Sequence, residues 1–182
     1  IVKSIYDDLE KTRNDPKKLD AIFSTAEVPR VLENIQNLIH NTRINYTTKY
    51  RLQQQIHTLN YLGRKALLST DLNNPHANKK HIKNMDDTDI QRLLEQYRHI
   101  LQNNPLDKTR KDTRLIYLAL LRESMFRTTG RMAYSTQMIA VLNARNQETP
   151  TLSEIQTGQG KSMIGAFKAA MLQAEGDTVH IA

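Results

Sequence analysis

Apolar residues recur at helical spacing through residues 1–70. The first clear run has six apolar residues three or four positions apart: Val28, Val31, Leu32, Ile35, Leu38 and Ile39. Such spacing places an apolar stripe on one side of a helix, so it predicts a helix over residues 28–39. A second helix is predicted by a second run: Tyr46, Tyr50, Leu52, Ile56, Leu59, Leu62 and Leu67. We interpret residues 1–70 as a helical region of unknown role.

The composition changes after this region. Residues 69–84 are rich in Asn, Asp, Pro, His and Lys, which are typical of turns and loops. We therefore predict a linker or loop at residues 71–84, which separates the helical region from a second part at residues 85–182.

Three further helices are predicted in the second part. The first is expected to begin at a capping aspartate, Asp86 or Asp87, and to stop before Pro105. The second ends at Gly130, and the third covers about residues 135–144. Each carries apolar residues at helical spacing.

The sequence pattern predicts strands only in about the last thirty residues. Residues 151–156 alternate in polarity, residues 161–174 are predicted to form a helix capped by Gly176, and residues 178–182 begin a second strand. Strand, glycine loop, helix and strand make one βαβ unit. The predicted fold is mainly α: a helical N-terminal region followed by the first βαβ unit of an α/β phosphate-loop domain.

The glycine loop carries the most specific chemistry in the sequence. Gly158 and Gly160 would let backbone N–H groups turn inward around phosphate oxygens, at the N-terminus of the following helix. Lys161 would supply a cation for the β- and γ-phosphates, and the Ser162 hydroxyl would ligate Mg²⁺. The loop departs from the full phosphate-loop motif because Ile155 stands at the position of its first glycine.

Residues 153–162, which read S-E-I-Q-T-G-Q-G-K-S, resemble motif I of the SecA family. That family typically reads E-M-K-T-G-E-G-K-T, so Gln159 replaces a glutamate and Ser162 a threonine. Residues 130–139, G-R-M-A-Y-S-T-Q-M-I, are similar to the family segment G-M-R-x-[FY]-D-V-Q-L-[IL]. Here Ser135 stands where the family has aspartate, and Met132 where it has arginine. Residues 85–91 resemble the family's L-S-D-E-E-L segment. The resemblance covers about residues 85–182 and does not reach residues 1–80.

The resemblance implies a preprotein translocase motor that binds ATP or ADP with Mg²⁺. In the family the glutamine at the position of Gln137 contacts the adenine edge, and an amide can both donate and accept there. The implied nucleotide-binding residues are Gln137, Thr157, Gly158, Gln159, Gly160, Lys161 and Ser162, with Ser162 also at the magnesium. A protein partner or polypeptide substrate and a cytoplasmic location are expected.

The resemblance leaves the catalytic residues unknown. The acidic pair that binds Mg²⁺ and the arginine finger lie beyond residue 182 in the family. We therefore interpret the chain as a piece of a longer protein that does not hydrolyse ATP by itself.

Charge and composition leave two alternatives. The chain has 26 Lys and Arg against 19 Asp and Glu, a net charge of +7, and no Cys. The basic residues are scattered, and the densest patch, residues 79–83, is short, so a nucleic-acid partner is disfavoured. One alternative is an interaction module whose helical residues 1–70 bind a protein or an anionic membrane surface, with a vestigial or regulatory phosphate loop. The other, a nucleic-acid helicase, is favoured less because Ile155 and Gln159 fit the SecA form better.

Overall fold

The computed structural model describes residues 2–30, 36–37, 42–43, 46–76, 78–103, 109–146 and 160–179. The helices among them are α1 (Val2–Asn14), α2 (Pro16–Phe23), α3 (Tyr46–Arg64), α4 (Asp87–Asn103), α5 (Thr109–Thr129), α6 (Ser135–Asn146) and α7 (Lys161–Ala174). A short 3₁₀ helix covers Ile82–Asn84. The prediction of a mainly α fold is confirmed.

Within the described ranges, four short strands form two antiparallel ribbons. β1 (Gln36–Asn37) pairs with β2 (Thr42–Arg43), and β3 (Leu67–Ser69) pairs with β4 (Lys79–His81). The helix predicted over residues 28–39 is therefore wrong at residues 36–37, and the helical run that included Leu67 is wrong at its end. α3 stops at Arg64, and Leu67 pairs with His81 instead.

The core is built around α5. This helix packs against α3 on one side and α4 on another, and α6 packs against both α3 and α7. The apolar residues of α5 are not confined to one side of the helix, because neighbouring helices cover it on several sides. The largest fully buried side chains come from five helices and the 3₁₀ helix: Leu52, Ile56, Leu59, Ile82, Leu93, Leu101, Leu118, Leu120, Phe126, Met138 and Phe167.

Residues before and after the predicted linker contribute to this one core. Ile56 and Leu59 from α3 are buried in the same cluster as Leu93 from α4 and Leu118 from α5. The segment predicted as a linker contains β4 and the 3₁₀ helix, and its Ile82 is buried. The division of the chain at residues 71–84 stays a prediction.

The helix of the predicted βαβ unit has the predicted bounds, residues 161–174. Its end is fixed by Gly176, which has a φ of +91°. The N–H groups of Gly176 and Asp177 donate to the carbonyls of Gln173 (3.1 Å) and Leu172 (3.0 Å), a Schellman motif. Residues 151–156 and 180–182 lie outside the described residues, and Thr178 and Val179 are not in a strand. The βαβ unit stays a prediction.

Two aspartates at the start of α4 form hydrogen bonds: Asp86 caps the helix, and Asp89 binds two basic side chains. Asp86 Oδ1 accepts a hydrogen bond from the Asp89 N–H (2.7 Å), which confirms the predicted cap. The Asp89 carboxylate is buried, with 5% of the residue exposed, and it accepts hydrogen bonds from Lys80 Nζ (2.8 Å) and Arg92. The hydrogen bond from Lys80 and the positive charges of Lys80 and Arg92 lower the pKa of Asp89 below its ordinary 3.8.

Replacing Lys80 with methionine is expected to weaken the acid sensitivity of the fold. Because its folded-state pKa is lowered, Asp89 stabilises the fold above the unfolded-state pKa, and this contribution is lost as the pH falls through the folded-state pKa. Without Lys80 the folded-state pKa of Asp89 rises toward 3.8, and the stability lost on acidification becomes smaller. The measurement is urea unfolding at about pH 6 and about pH 3. Lys79→Met changes the exposed neighbour and should behave as the wild type does; identical pH dependence for Lys80→Met would contradict the assignment.

Candidate nucleotide-binding site

Gly160 is the N-terminal cap of α7 and has left-handed backbone angles, φ +75° and ψ +43°. Its carbonyl accepts the first hydrogen bonds of the helix, from the N–H groups of Met163 (3.0 Å) and Ile164 (3.1 Å). The N–H groups of the first turn of a helix have no partner within that helix, and the helix dipole is positive there. This end of α7 is therefore suited to an anion.

Lys161 and Ser162 form the first turn of α7, and both are exposed. Ile164 and Phe167 on the other side of the helix are buried in the core and hold α7 in place. The residues predicted to bind phosphate and Mg²⁺ therefore lie at the exposed start of α7, and the buried side of this helix is packed into the core. Thr157, Gly158 and Gln159, the other predicted loop residues, lie outside the described residues.

Gln137 lies in the first turn of α6, and its side chain is held by the backbone. Gln137 Oε1 accepts a hydrogen bond from the Tyr134 N–H (2.9 Å), and the Gln137 N–H donates to the Tyr134 carbonyl (3.0 Å). This arrangement is one half of a capping box, in which the side chain of the third helical residue turns back to the N–H group that precedes the helix.

The structure brings Gln137 and Gly160 together. A Cβ built on Gly160 would overlap Gln137 Nε2 and would lie 3.5 Å from Gln137 Cδ. The N-termini of α6 and α7 therefore lie side by side, with the amide of one helix against the capping glycine of the other. These two residues were predicted from separate motifs and are 23 positions apart in the numbering, 137 and 160.

A comparison with protein families adds to this geometry. Residues 39–182 match the model of the SecA DEAD-like domain. The chain belongs to this family. The match begins well before residue 85, so the family region is longer than the sequence motifs indicated. Comparisons with curated proteins and with solved structures gave no match.

Three further polar residues, Asn60, Arg122 and Ser135, lie next to the candidate site, and the sequence did not predict them as part of it. Arg122 is buried, with 3% exposed, and its guanidinium donates to the Asn60 side chain (Nη1 to Oδ1, 2.9 Å) and to the Ala133 carbonyl (Nε to O, 2.8 Å). Ser135 Oγ lies 3.0 Å from Asn60 Nδ2, which donates to it. Ser135, which departs from the family aspartate, is thus a buried member of a hydrogen-bond network.

Arg122 has no ion pair among the described residues, and its charge is balanced by oxygen dipoles and by the ring of Phe23, 4.4 Å away. Burial lowers the pKa of Arg122 to about 9, so it keeps its proton at neutral pH. The burial of Arg122 could have been predicted from the sequence. Arg122 lies four residues after Leu118 and four before Phe126, on an otherwise apolar face of the helix. A charged residue on such a face indicates a buried polar contact.

The residues of the basic patch at 79–83 have contacts within the protein. In the basic patch at residues 79–83, Lys80 pairs with Asp89, Ile82 is buried, and His81 Nδ1 lies 3.2 Å from the Ala66 carbonyl. These contacts explain much of the patch without a nucleic-acid partner.

Tyr50 and Tyr61 on α3 are 56% and 58% exposed in this structure. They are therefore not core residues. Within the part of the chain that the structure describes, no group of three metal-binding side chains is found. No helix in that part is long and apolar enough to cross a membrane.

Proposed function

We propose that this chain is an ATP-binding segment of a SecA-like motor, with the nucleotide between the N-termini of α6 and α7. The observation that carries the proposal is the contact between Gln137 and Gly160, because it joins an adenine-reading amide to a phosphate-binding helix end. The family match supports the same function. The phosphates would lie at Lys161 and the backbone of Gly158 and Gly160.

The residues present fit a magnesium nucleotide. Because Gly160 has no Cβ, the Gln137 amide can lie against the start of α7, and the exposed Lys161 and Ser162 follow Gly160 directly. A lysine donates charge-assisted hydrogen bonds to phosphate, and a serine hydroxyl is a suitable oxygen ligand for Mg²⁺. Bound Mg²⁺ would neutralise phosphate charge, while Thr157 and Gln159 would complete the loop.

Lys161→Ala is expected to abolish measurable ATP binding. We expect the wild-type chain to bind ATP with a dissociation constant on the order of 0.1 mM. Loss of a charge-assisted hydrogen bond costs about 1.5–3 kcal/mol, which weakens binding by roughly ten- to a hundredfold. Isothermal titration calorimetry with MgATP should give a dissociation constant for the wild-type chain and no saturable heat for Lys161→Ala.

Lys168→Ala is the matched control, since Lys168 is a half-buried lysine two turns farther along the same helix. It should leave ATP binding unchanged. ATP binding that survives Lys161→Ala, or that is lost equally in both variants, would contradict the phosphate role of Lys161.

We further propose that residues 1–182 alone turn over no ATP, because the acidic pair and arginine finger of the family have no counterpart in the motifs that match. ADP and ATP should then bind with similar affinity. A polypeptide substrate or protein partner and a cytoplasmic location are proposed from family membership. ATP turnover by this chain that Lys161→Ala abolishes would overturn the statement on hydrolysis.

A further inference from the structure

The end of α2 is held by side chains from three other helices. The Ser135 hydroxyl donates to the Ile22 carbonyl (3.1 Å), and Arg122 Nη2 lies 3.4 Å from the same oxygen. Asn60 Nδ2 donates to the Phe23 carbonyl (3.0 Å). The last carbonyls of a helix have no partner within it. Here α3, α5 and α6 supply those partners.

The same side chains also fix the loop that leads into α6. Arg122 donates from both Nε and Nη2 to the Ala133 carbonyl. Ala133 and Ser135 are both buried, with 0% and 1% exposed, while Tyr134 between them is 45% exposed. The backbone of Tyr134 is therefore held on both sides by residues that cannot shift without breaking buried hydrogen bonds.

Tyr134 in turn fixes Gln137. Its N–H group holds the Gln137 side-chain oxygen, and its carbonyl accepts from the N–H groups of Gln137 (3.0 Å) and Met138 (3.1 Å). A change in the backbone of Tyr134 would therefore move the Gln137 amide, which lies against Gly160.

We propose that Arg122, Asn60 and Ser135 are positioning residues that set the Gln137 amide for the adenine base, an inference that rests on the proposed function. They do so by fastening the end of α2 and the loop before α6 to one buried network. Ile22 and Phe23 precede residue 39, where the family match begins. The end of α2 thus acquires a role: its carbonyls are part of the network that holds Gln137.

A purely structural role for the network would lower stability without a specific effect on Gln137. Ser135→Ala distinguishes the two roles, because it removes one hydroxyl and leaves Arg122 and Asn60 in place. Ser124→Ala is the control, since Ser124 is a half-buried serine of α5 that takes no part in the network.

The first measurement is backbone amide exchange by NMR in the free protein, which needs no nucleotide. In Ser135→Ala we expect the N–H groups of Gln137 and Met138 to lose about fivefold or more of their protection relative to the core amide of Leu118. Ser124→Ala should leave this ratio unchanged. An unchanged ratio in Ser135→Ala would overturn the positioning role, whether or not the protein binds ATP.

The second measurement is titration with MgATP and MgGTP. Ser135→Ala should weaken ATP binding by about fivefold, the order expected for side chains coupled in one hydrogen-bond network, and should leave GTP binding unchanged. In a Gln137→Ala background, Ser135→Ala should have no further effect on ATP binding. Equal losses for both nucleotides, or a full effect in the Gln137→Ala background, would overturn the inference. If wild type shows no Lys161-dependent ATP binding, the proposed function fails, and the exchange measurement still decides the positioning role.

Discussion

Arg122→Met is expected to lower the free energy of unfolding by about 3 kcal/mol. Arg122 donates to the Ala133 carbonyl from two nitrogens and to the Asn60 side chain from a third. Methionine fills a similar volume but donates no hydrogen bond, so the Ala133 carbonyl is left buried without its partner. One such group costs about 1–3 kcal/mol, and loss of the bond to Asn60 adds to it.

An opposing effect acts at the same position. Removing a buried charge also removes its desolvation penalty, and buried ion pairs are sometimes replaced by apolar residues without loss of stability. Such replacements succeed when every polar partner is replaced as well. Here the partners include the backbone carbonyls of Ile22 and Ala133, which no substitution can remove. The loss of hydrogen bonds is therefore expected to exceed the gain from desolvation.

Urea unfolding of Arg122→Met and of the control Arg51→Met measures the difference. Arg51 is an exposed arginine of α3, and its replacement should change the unfolding free energy by less than about 0.5 kcal/mol. Arg122→Lys keeps the charge but lacks the planar fork that reaches three acceptors, so it should also be destabilised. Equal stability of Arg122→Met and wild type would contradict the prediction, since the gain from desolvation would then fully offset the lost hydrogen bonds.

Local sequence signals predicted the helices of the second part well. The bounds of α7 follow from Gly160 and Gly176, which need positive φ values that other residues rarely adopt. Gly130, with a φ of +71°, ends α5 in the same way, whereas Asp86 starts α4 through its side-chain hydrogen bond. Where the chain's own residues supply the start and stop signals, the structure follows the prediction.

The predictions failed where pairing across the sequence decides the structure. Leu67 continues an apolar helical run, yet it pairs with His81, fourteen positions away in the numbering from 67 to 81. Periodicity alone does not separate short strands from helix ends. The Arg122 network could not be predicted for a related reason: its members come from residues 22 to 135, and only the packing of α2, α3, α5 and α6 brings them together.

The candidate site lies between these two cases. The motifs predicted Gln137 and Gly160 one at a time, and the resemblance to SecA joined them. Their contact depends on the packing of α6 against α7, for which the sequence offers only the apolar residues on each helix. The residues of the candidate site could thus be proposed from the sequence, but the network around Gln137 could not.

Gly160→Ala is expected to impair both stability and ATP binding, for separate reasons. Gly160 has a φ of +75°, where an L-residue costs roughly 1–2 kcal/mol, and this strain should appear in the unfolding free energy. The added methyl group would also overlap Gln137 Nε2. Because that atom is the end of a flexible side chain, the overlap costs little stability, but it displaces the amide that we propose for adenine. ATP binding should therefore fall by about tenfold or more, from the combined loss of the amide contact and of the loop geometry.

Gly165→Ala is the matched control for this change. Gly165 lies inside the same helix, and a Cβ there meets no atom within 4 Å. Alanine is the better helix former by about 1 kcal/mol, so Gly165→Ala should stabilise the protein and leave ATP binding unchanged. Adding Gln137→Ala to Gly160→Ala removes the overlap but keeps the backbone strain, so the double variant should remain destabilised and should recover no affinity. Calorimetric titration and urea unfolding of all four proteins separate the two effects. Stability in Gly160→Ala equal to that of wild type would mean that the left-handed conformation of Gly160 is not required.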